Sequence, residues 1–243
     1  MPIPKTTLAI AGLLAIAAAT AWTTLTPAPQ NYVFAASWQP GFCETQPDKR
    51  ECRNQQRKSF EAINFTLHGL WPQRSDYCGV SDRDVAADKA SRWSALPEVS
   101  LPSDLRQRLD EAMPGTRSGL ERHEWIKHGT CAGTDAASYF RNALWVLDGL
   151  NASSVRDLFK ANIGKRVTQE QIRAAFDASF GSGAGQRVRV SCQRDGDRRL
   201  ITELTIGLAG QPGPDGDLAA LIAAASPTDG GCDSGIVDPV GFQ

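Results

Sequence analysis

Short apolar runs and longer amphipathic runs follow one another along the chain, and their order predicts the fold class. Four short runs rich in β-branched or aromatic residues have the pattern of strands: 32–38, 63–70, 186–192 and 200–208. Three longer runs carry apolar residues at helical spacing: 105–113, 136–147 and 171–180. Because strands precede and follow the helices, we predict an α+β fold, in which an antiparallel β-sheet packs against several helices.

Polar residues at the ends of the helical runs predict where two of the helices begin. Ser103 stands just before the first helical run and is expected to cap it. Thr168 and Gln171 have the spacing of a capping box at the start of the third run. The segment 218–225 lies in a tail rich in Gly, Pro and Asp, and the sequence assigns it no state.

The first thirty residues differ from the rest of the chain. Lys5 is their only charged residue, and it is followed by an apolar run over 8–16 and by small residues over 17–21. The apolar run is shorter than a membrane span requires, so the pattern predicts a secretory signal peptide over 1–21, with its end no later than about residue 28. A retained signal anchor is the alternative. We expect residues 30–243 to form a single domain without stable membrane association.

The charge balance restricts the class of partner. The 243 residues include 26 basic and 27 acidic side chains, which gives a formal net charge of −1. Such a balance excludes a strongly polybasic nucleic-acid or membrane binder. It does not exclude an enzyme that acts on nucleic acid, because such an enzyme needs positive charge only where the reaction occurs.

The six cysteines support export from the cytoplasm. They are Cys43, Cys52, Cys78, Cys131, Cys192 and Cys232. None of them lies in the predicted leader, and no two are spaced C-x-x-C. The spacing therefore indicates neither a zinc ribbon nor a thioredoxin-type redox site. An even count predicts three disulfides in an oxidising compartment, and the residues alone leave fifteen pairings open.

All three histidines lie in two short segments, FTLHGLWP (65–72) and HEWIKHGTC (123–131). If the second segment is helical, with about 100° between successive residues, it has a polar face and an apolar face. Four side chains share the polar face: His123, Glu124, Lys127 and His128. We therefore predict a helix that packs through Trp125 and Ile126, presents the polar four to a cleft and stops at Gly129.

Less specific interpretations of these residues stay open at this point. A polar helix face is often simply solvated, and a single histidine such as His68 is more often structural than catalytic. Trp71 is either a core residue or a platform on which a base stacks, and we retain it as a candidate for substrate binding. A zinc site is disfavoured, because His123 and His128 are five residues apart, with the Lys127 ammonium between them.

The two histidine segments, in this order and about fifty residues apart, closely resemble the two active-site segments of the ribonuclease T2 family. The segment SWQPGFC (37–43) resembles the family's first strand and first cysteine. The family consists of secreted or periplasmic endoribonucleases with little base specificity. The resemblance therefore implies a disulfide-linked α+β domain that acts on single-stranded RNA in the periplasm or outside the cell.

The resemblance also implies a metal-free and cofactor-free transesterification. It makes His68 the general acid, His128 the general base, Lys127 and Glu124 the groups that stabilise the phosphorane, and His123 a phosphate ligand. RNA would be cleaved through 2′,3′-cyclic phosphates to 3′-phosphate ends, and DNA would not be cleaved. Two imidazoles with ordinary pKa values near 6.5 can hold opposite protonation states at mildly acid pH, so the chemistry is consistent.

The family's disulfide pattern implies the pairs Cys43–Cys52, Cys78–Cys131 and Cys192–Cys232. Two other functions remain as alternatives: an RNA-binding protein of the same fold without catalysis, and a secreted metallohydrolase. All five polar positions carry competent residues, which argues against the first. We expect a monomer. Gln73 and Ser37 depart from residues common in the family, so base preference is not predicted.

Overall fold

A computed structural model describes residues 1–2, 31–53, 55–73 and 75–242. The signal peptide predicted over 1–21 falls almost entirely outside these ranges, and it stays a prediction. Within the described ranges, buried apolar side chains from Tyr32 to Val237 form the main core, and Ala87, Leu96 and Ile126 form a small second cluster. The single domain over 30–243 stays a prediction.

In the part of the chain that the structure describes, six strands form one sheet: β1 Asn31–Ser37, β2 Thr66–Pro72, β3 Arg166–Thr168, β4 Val188–Asp195, β5 Arg198–Ala209 and β6 Ser234–Ile236. Their order is β2-β1-β5-β6-β3, with β4 paired to β5. The pairs are antiparallel, except that β5 and β6 are parallel. The α+β class is therefore confirmed, while the sheet is mixed and not wholly antiparallel.

Eight helices accompany the sheet in the described ranges: α1 Gln39–Thr45, α2 Asp82–Lys89, α3 Ser103–Ala112, α4 Leu120–Lys127, α5 Ala136–Asn151, α6 Ser154–Ala161, α7 Gln169–Phe180 and α8 Leu218–Ala224. The Thr168–Gln171 capping box is present at the start of α7, as predicted. The prediction for α3 was wrong in its cap, because Ser103 is already helical and Pro102 precedes it without a side-chain bond. None of these helices has the length and apolar character of a membrane span.

The strand that carries His68 begins later than the apolar pattern predicted, at Thr66 instead of residue 63. The cause is a side-chain amide. The Asn151 side chain accepts from the backbone N–H of Phe65 at 2.9 Å and donates to its carbonyl at 3.0 Å. Because both backbone groups of Phe65 are bonded to this amide, the ladder between β1 and β2 starts one residue later.

Three disulfides link the described chain: Cys43–Cys52, Cys78–Cys131 and Cys192–Cys232. These are the pairs that the family resemblance implied. The Cys78–Cys131 bridge closes a span of 53 residues and joins the loop after β2 to the turn after α4. Both histidine-bearing segments are thereby tied together covalently.

Candidate active site

His68 lies at an irregularity in the sheet. Ala35 of β1 pairs with Gly69 of β2 and Ala36 pairs with Leu67, so His68 is the extra residue of a β-bulge. A bulge turns a side chain away from the regular alternation of a strand. The His68 side chain is consequently one-third exposed (34%) between buried neighbours.

The His68 imidazole contacts a carboxylate from a strand two positions away in the sheet. Nδ1 lies 2.5 Å from Oε2 of Glu203 on β5, and β1 separates the two strands. With Nδ1 held by Glu203, Nε2 points into the site, 3.8 Å from Oε1 of Glu124. Sequence reasoning missed Glu203, although a single carboxylate within the apolar strand LITELTIGL was a usable signal.

The protonation of His68 follows from these neighbours. Burial disfavours the imidazolium, but the hydrogen bond to Glu203 and the charges of Glu124 and Glu203 outweigh it. The pKa of His68 is therefore raised above 6.5, even though the Lys127 ammonium opposes the shift. The surroundings of His68 therefore favour its protonated form.

Residues 123–127 of the second segment lie in α4. This helix begins after Gly119, whose φ of +80° is a backbone conformation that favours glycine. The predicted helix is confirmed, but it ends at Lys127. His128 is the C-cap, and Gly129 opens a following 3-10 turn over Gly129–Cys131. Glu124 is 1% exposed, and its Oε1 lies 3.8 Å from His68 Nε2 and 3.9 Å from His123 Nε2, so its carboxylate is buried between the two histidine segments.

The Glu124 carboxylate contacts residues of both histidine segments. Its Oε2 accepts from Trp71 Nε1 at 2.8 Å, and its Oε1, which has no hydrogen-bond partner, lies 3.9 Å from His123 Nε2. The carboxylate rests against Gly69, where a Cβ would overlap both Glu124 and the indole of Trp71. Burial raises the pKa of Glu124 to about 7, against the lowering effect of His68, Trp71 and Lys127.

His123 is held by α2 and by a neighbouring indole. Its Nδ1 lies 2.8 Å from Oδ1 of Asp88, a buried carboxylate whose Oδ2 accepts from Tyr77 Oη at 2.8 Å. The Trp93 ring stacks on the imidazole at 4.7 Å. Burial lowers the pKa of His123, although Asp88 opposes this. Sequence reasoning missed Asp88, which stands in a helix without a marked apolar face.

His128 has the opposite electrostatic environment from His68. Burial, followed by the charges of Lys127, His123 and His68, lowers its pKa to about 3. Asp76 lies 3.2 Å from Nδ1 but without hydrogen-bond geometry, and the Asp76 side chain is half exposed, so solvent screens its charge. His128 is therefore neutral at neutral pH, in the state of a proton acceptor.

Trp71 lies between His68 and His128, whose pKa values are shifted in opposite directions. Its ring centroid is 5.3 Å from that of His68 and 5.6 Å from that of His128. The indole is partly exposed and its N–H is bonded to Glu124, so it is not a core residue. The structure thus brings together all six residues that the sequence analysis singled out: His68, Trp71, His123, Glu124, Lys127 and His128.

Three of these groups have metal-ligating atoms near one another. Ligand atoms of His123, Glu124 and His128 lie within 4.8 Å, although the sequence spacing argued against a zinc site. Two observations limit this cluster as a metal centre. The Lys127 charge acts on both histidines, and Glu124 Oε1 lies 3.9 Å from His123 Nε2, which is wider than the separation of about 3.3 Å between donors of a tetrahedral zinc.

Comparisons with known proteins agree on one family. The family model described as "Ribonuclease T2 family" matches residues 30–215. Ribonuclease I of Escherichia coli (strain K12) is 33% identical over 201 residues, which is 73% of this chain and 74% of that protein. This chain belongs to the ribonuclease T2 family.

Further relatives extend the family likeness to plants and to solved structures. Ribonuclease 1 of Arabidopsis thaliana is 31% identical over 176 residues, which covers 68% of this chain and 69% of that protein. A crystal structure of RNase NT in complex with 5′-AMP superposes with a TM-score of 0.55 at 23% identity, over 86% of this chain and 98% of that chain. The ribonuclease T2 fold is therefore shared beyond the two motifs.

Proposed function

We propose that this protein is an endoribonuclease that cleaves single-stranded RNA by metal-independent transesterification, through 2′,3′-cyclic phosphates to 3′-phosphate ends. Membership of the ribonuclease T2 family and relatives named as ribonucleases support the endoribonuclease function. The observation that carries the mechanism is the placement of His68 and His128 on either side of Trp71, at ring distances of 5.3 Å and 5.6 Å, in surroundings that raise the pKa of His68 and lower that of His128.

In this mechanism His128 accepts the proton of the ribose 2′-hydroxyl, because its lowered pKa keeps it neutral. The 2′-oxygen attacks the adjacent phosphorus, and the bond from phosphorus to the 5′-oxygen of the next nucleoside breaks. His68 donates its Nε2 proton to that leaving oxygen, while Glu203 holds Nδ1. One imidazole gains a proton and the other loses one, so both roles reverse when water opens the cyclic phosphate.

The remaining polar groups stabilise the pentacovalent phosphorane. Lys127 supplies positive charge, and His123 binds the phosphate through Nε2, since Asp88 occupies Nδ1. Glu124, whose pKa burial raises to about 7, has its buried Oε1 3.8 Å from His68 Nε2 and 3.9 Å from His123 Nε2, and it acts on the phosphorane through these two imidazoles. Donors fixed in a buried site stabilise developing charge without the reorganisation that water would require.

The two histidines fix the direction in which RNA lies. A cavity of about 410 Å³ adjoins His128 and is lined by Trp71, Pro72, Gln73, Ser75 and Asp76; we name it the His128 cavity. A cavity of about 240 Å³ adjoins His68 and includes Ser37, Leu67, Trp93 and Leu120; we name it the His68 cavity. The nucleoside with the attacking 2′-hydroxyl lies in the His128 cavity, and the leaving nucleoside lies in the His68 cavity.

We further propose a periplasmic or secreted location and a monomeric state. All six cysteines are paired, and disulfides persist in oxidising compartments. Analysis of the N-terminus of the exported protein tests the signal peptide, since the mature chain should begin between residues 22 and 29. Sedimentation of the mature protein tests the monomer.

Early products test the proposed chemistry most directly. Purified protein in excess EDTA should cleave RNA at an undiminished rate and release 2′,3′-cyclic phosphates first. A single 2′-deoxy substitution on the 5′ side of one phosphate should abolish cleavage at that bond and preserve binding, because phosphate contacts and stacking do not use the hydroxyl. Products with 5′-phosphate ends would contradict the mechanism, since an external water would then be the nucleophile.

The same assay separates the two alternatives. The cluster of His123, Glu124 and His128 is the observation that favours a metallohydrolase. That function predicts activity that is lost with EDTA and returns with zinc. An RNA-binding protein without catalysis predicts RNA binding and no products under either condition.

A further inference from the structure

A third cavity continues from the His68 cavity along the protein surface. It has a volume of about 300 Å³, and Arg50, Arg117 and Arg122 line it together with Ser94 and Thr116. We name it the arginine cavity. Trp93 lines both cavities, so the two are adjacent across one indole.

Neighbouring backbone segments also connect the two cavities. Lys49 lines the His68 cavity, and the next residue, Arg50, lines the arginine cavity. In the same way, Gly115 lines the His68 cavity and Thr116 lines the arginine cavity. The Lys49 Nζ lies 5.4 Å from the centre of the Trp93 ring. An extended ligand that fills the His68 cavity can therefore continue past Trp93 with basic side chains on its path.

Two of the three arginines are available to bind an anion. Arg50 and Arg117 are exposed, and neither side chain bonds or pairs with another residue in the described part of the chain. Arg122 is different, since it donates to the carbonyls of Ser94 and Leu96 and pairs with Glu98 at 3.1 Å. Arg122 thus shapes the wall of the cavity, while Arg50 and Arg117 carry unneutralised charge.

One acidic residue, Glu121, also lines the cavity. Its side chain is only 6% exposed, and its Oε1 lies 3.5 Å from Arg106 and 3.8 Å from Arg122. Burial raises the pKa of its carboxyl, which lowers the cost of placing an anion nearby. Free positive charge on the cavity rim therefore exceeds free negative charge.

We infer that the arginine cavity binds the phosphate on the 3′ side of the leaving nucleoside, one phosphate downstream of the cleaved bond, through Arg50 and Arg117. The inference rests on the proposed function, because His68 as general acid places the leaving nucleoside in the His68 cavity. The next phosphate of an RNA chain then lies beyond Trp93. Guanidinium groups suit this ligand, since they bind phosphate with two parallel hydrogen bonds.

The test uses two oligonucleotides with one ribonucleotide each, so that a single bond is cleavable. The short substrate ends in a 3′-hydroxyl on the leaving nucleoside, and the long substrate carries a 3′-phosphate there. At low salt, the phosphate should raise kcat/KM about threefold to tenfold through a lower KM, which is the range for exposed and partly exposed ion pairs. The gain should shrink in high salt.

The double variant Arg50→Gln/Arg117→Gln should lose this gain and cleave the short substrate at the native rate. Arg166→Gln is the matched control, because Arg166 is exposed on β3, at the sheet edge opposite to β2. The control variant should keep the full gain. Circular dichroism and a thermal melt should be the same for all three proteins.

Three results would overturn the inference: no gain in the native protein, a gain that persists in the double variant, or an equal loss in the Arg166→Gln control. If neither substrate is cleaved, the proposed function fails and the subsite is tested separately. All-deoxy versions of the two oligonucleotides then serve as probes in a binding titration. Tighter binding of the phosphorylated probe that disappears only in the double variant would support the subsite without catalysis.

Discussion

The two ends of the candidate active site carry the same side chain with pKa values shifted in opposite directions. His68 stands on a sheet and receives a carboxylate at Nδ1, which raises its pKa. His128 caps a helix beside an ammonium, and burial and that charge lower its pKa to about 3. The proposed acid and base are thus the same residue type, and they differ in pKa because their neighbours differ.

The two ends of the site also depend on different elements of the fold. The His68 end depends on contacts between strands β2 and β5, whereas the His128 end depends on the loop after β2 and the last turn of α4. Tyr77 N–H donates to the Lys127 carbonyl at 2.8 Å, and the Cys78–Cys131 bridge follows directly. The end of α4 is therefore fixed to the loop that follows the strand carrying His68.

The largest expected effect comes from removing either imidazole. His68→Ala and His128→Ala should each lower kcat by about 10²–10⁴, the usual contribution of a general acid or base. A substrate with a nitrophenolate leaving group separates the two roles, because this weak base leaves without a proton. It should restore activity to His68→Ala and not to His128→Ala. Restoration of both variants, or near-normal kcat in either, would contradict the assignment.

Removing the ammonium should have the next largest effect. Lys127→Ala should lower kcat by about 10²–10³ with little change in KM, because its charge acts mainly on the phosphorane. Since Lys127 lowers the pKa of His128, the acid limb of the pH–rate profile should also move to higher pH. Lys160→Ala, at an exposed position of α6, is the control and should leave both quantities unchanged.

Loss of the Glu203 carboxylate should act only through His68. Glu203→Gln should lower kcat about tenfold, and the basic limb of the pH–rate profile should move to lower pH, since Glu203 raises the pKa of His68. The nitrophenolate substrate should be cleaved at the native rate by this variant. Glu170→Gln, an exposed change of equal charge on α7, is the control. A loss that persists with the activated substrate would mean that Glu203 is only structural.

The smallest expected effect is on the pH dependence of the free energy of unfolding, and it has opposite signs for His128 and His68. The folded pKa of His128 lies below its unfolded value, so its contribution to stability is present above pH 6.5 and is lost as pH falls toward 3. Denaturant unfolding from pH 7 to 4 should therefore show that His128→Gln loses less stability than the native protein. The difference should not exceed about 1.4 kcal/mol per pH unit.

His68→Gln provides the opposite comparison. The folded pKa of His68 is raised, so its contribution is present below pH 6.5 and is lost as pH rises through the folded value. Relative to the native protein, this variant should be least stable in acid. The same sign for both histidine variants would show that their environments do not differ as described.

Local sequence patterns predicted four of the six strands and four of the eight helices of the described ranges, together with six residues of the candidate site. The strands and helices with strong periodicity are present, and the capping box of Thr168 and Gln171 formed because it needs only residues three apart. Two contiguous motifs predicted six site residues, since nearby residues on one strand or helix stay close in any fold. The same logic failed at Ile63, where the Asn151 amide, 86 residues away from Phe65, displaced the start of the strand.

The electrostatics of the site were decided only by tertiary structure. Glu203 reaches His68 from 135 residues away, and Asp88 reaches His123 across 35, so no local pattern could assign these pairs. The burial of Glu124 likewise depends on Gly69 and Trp71 packing over it, not on its place on a helical wheel. Sequence by itself determined which titratable side chains the two motifs supply, and the packing of distant elements decided the direction in which each pKa is shifted, because desolvation and neighbouring charge set a pKa.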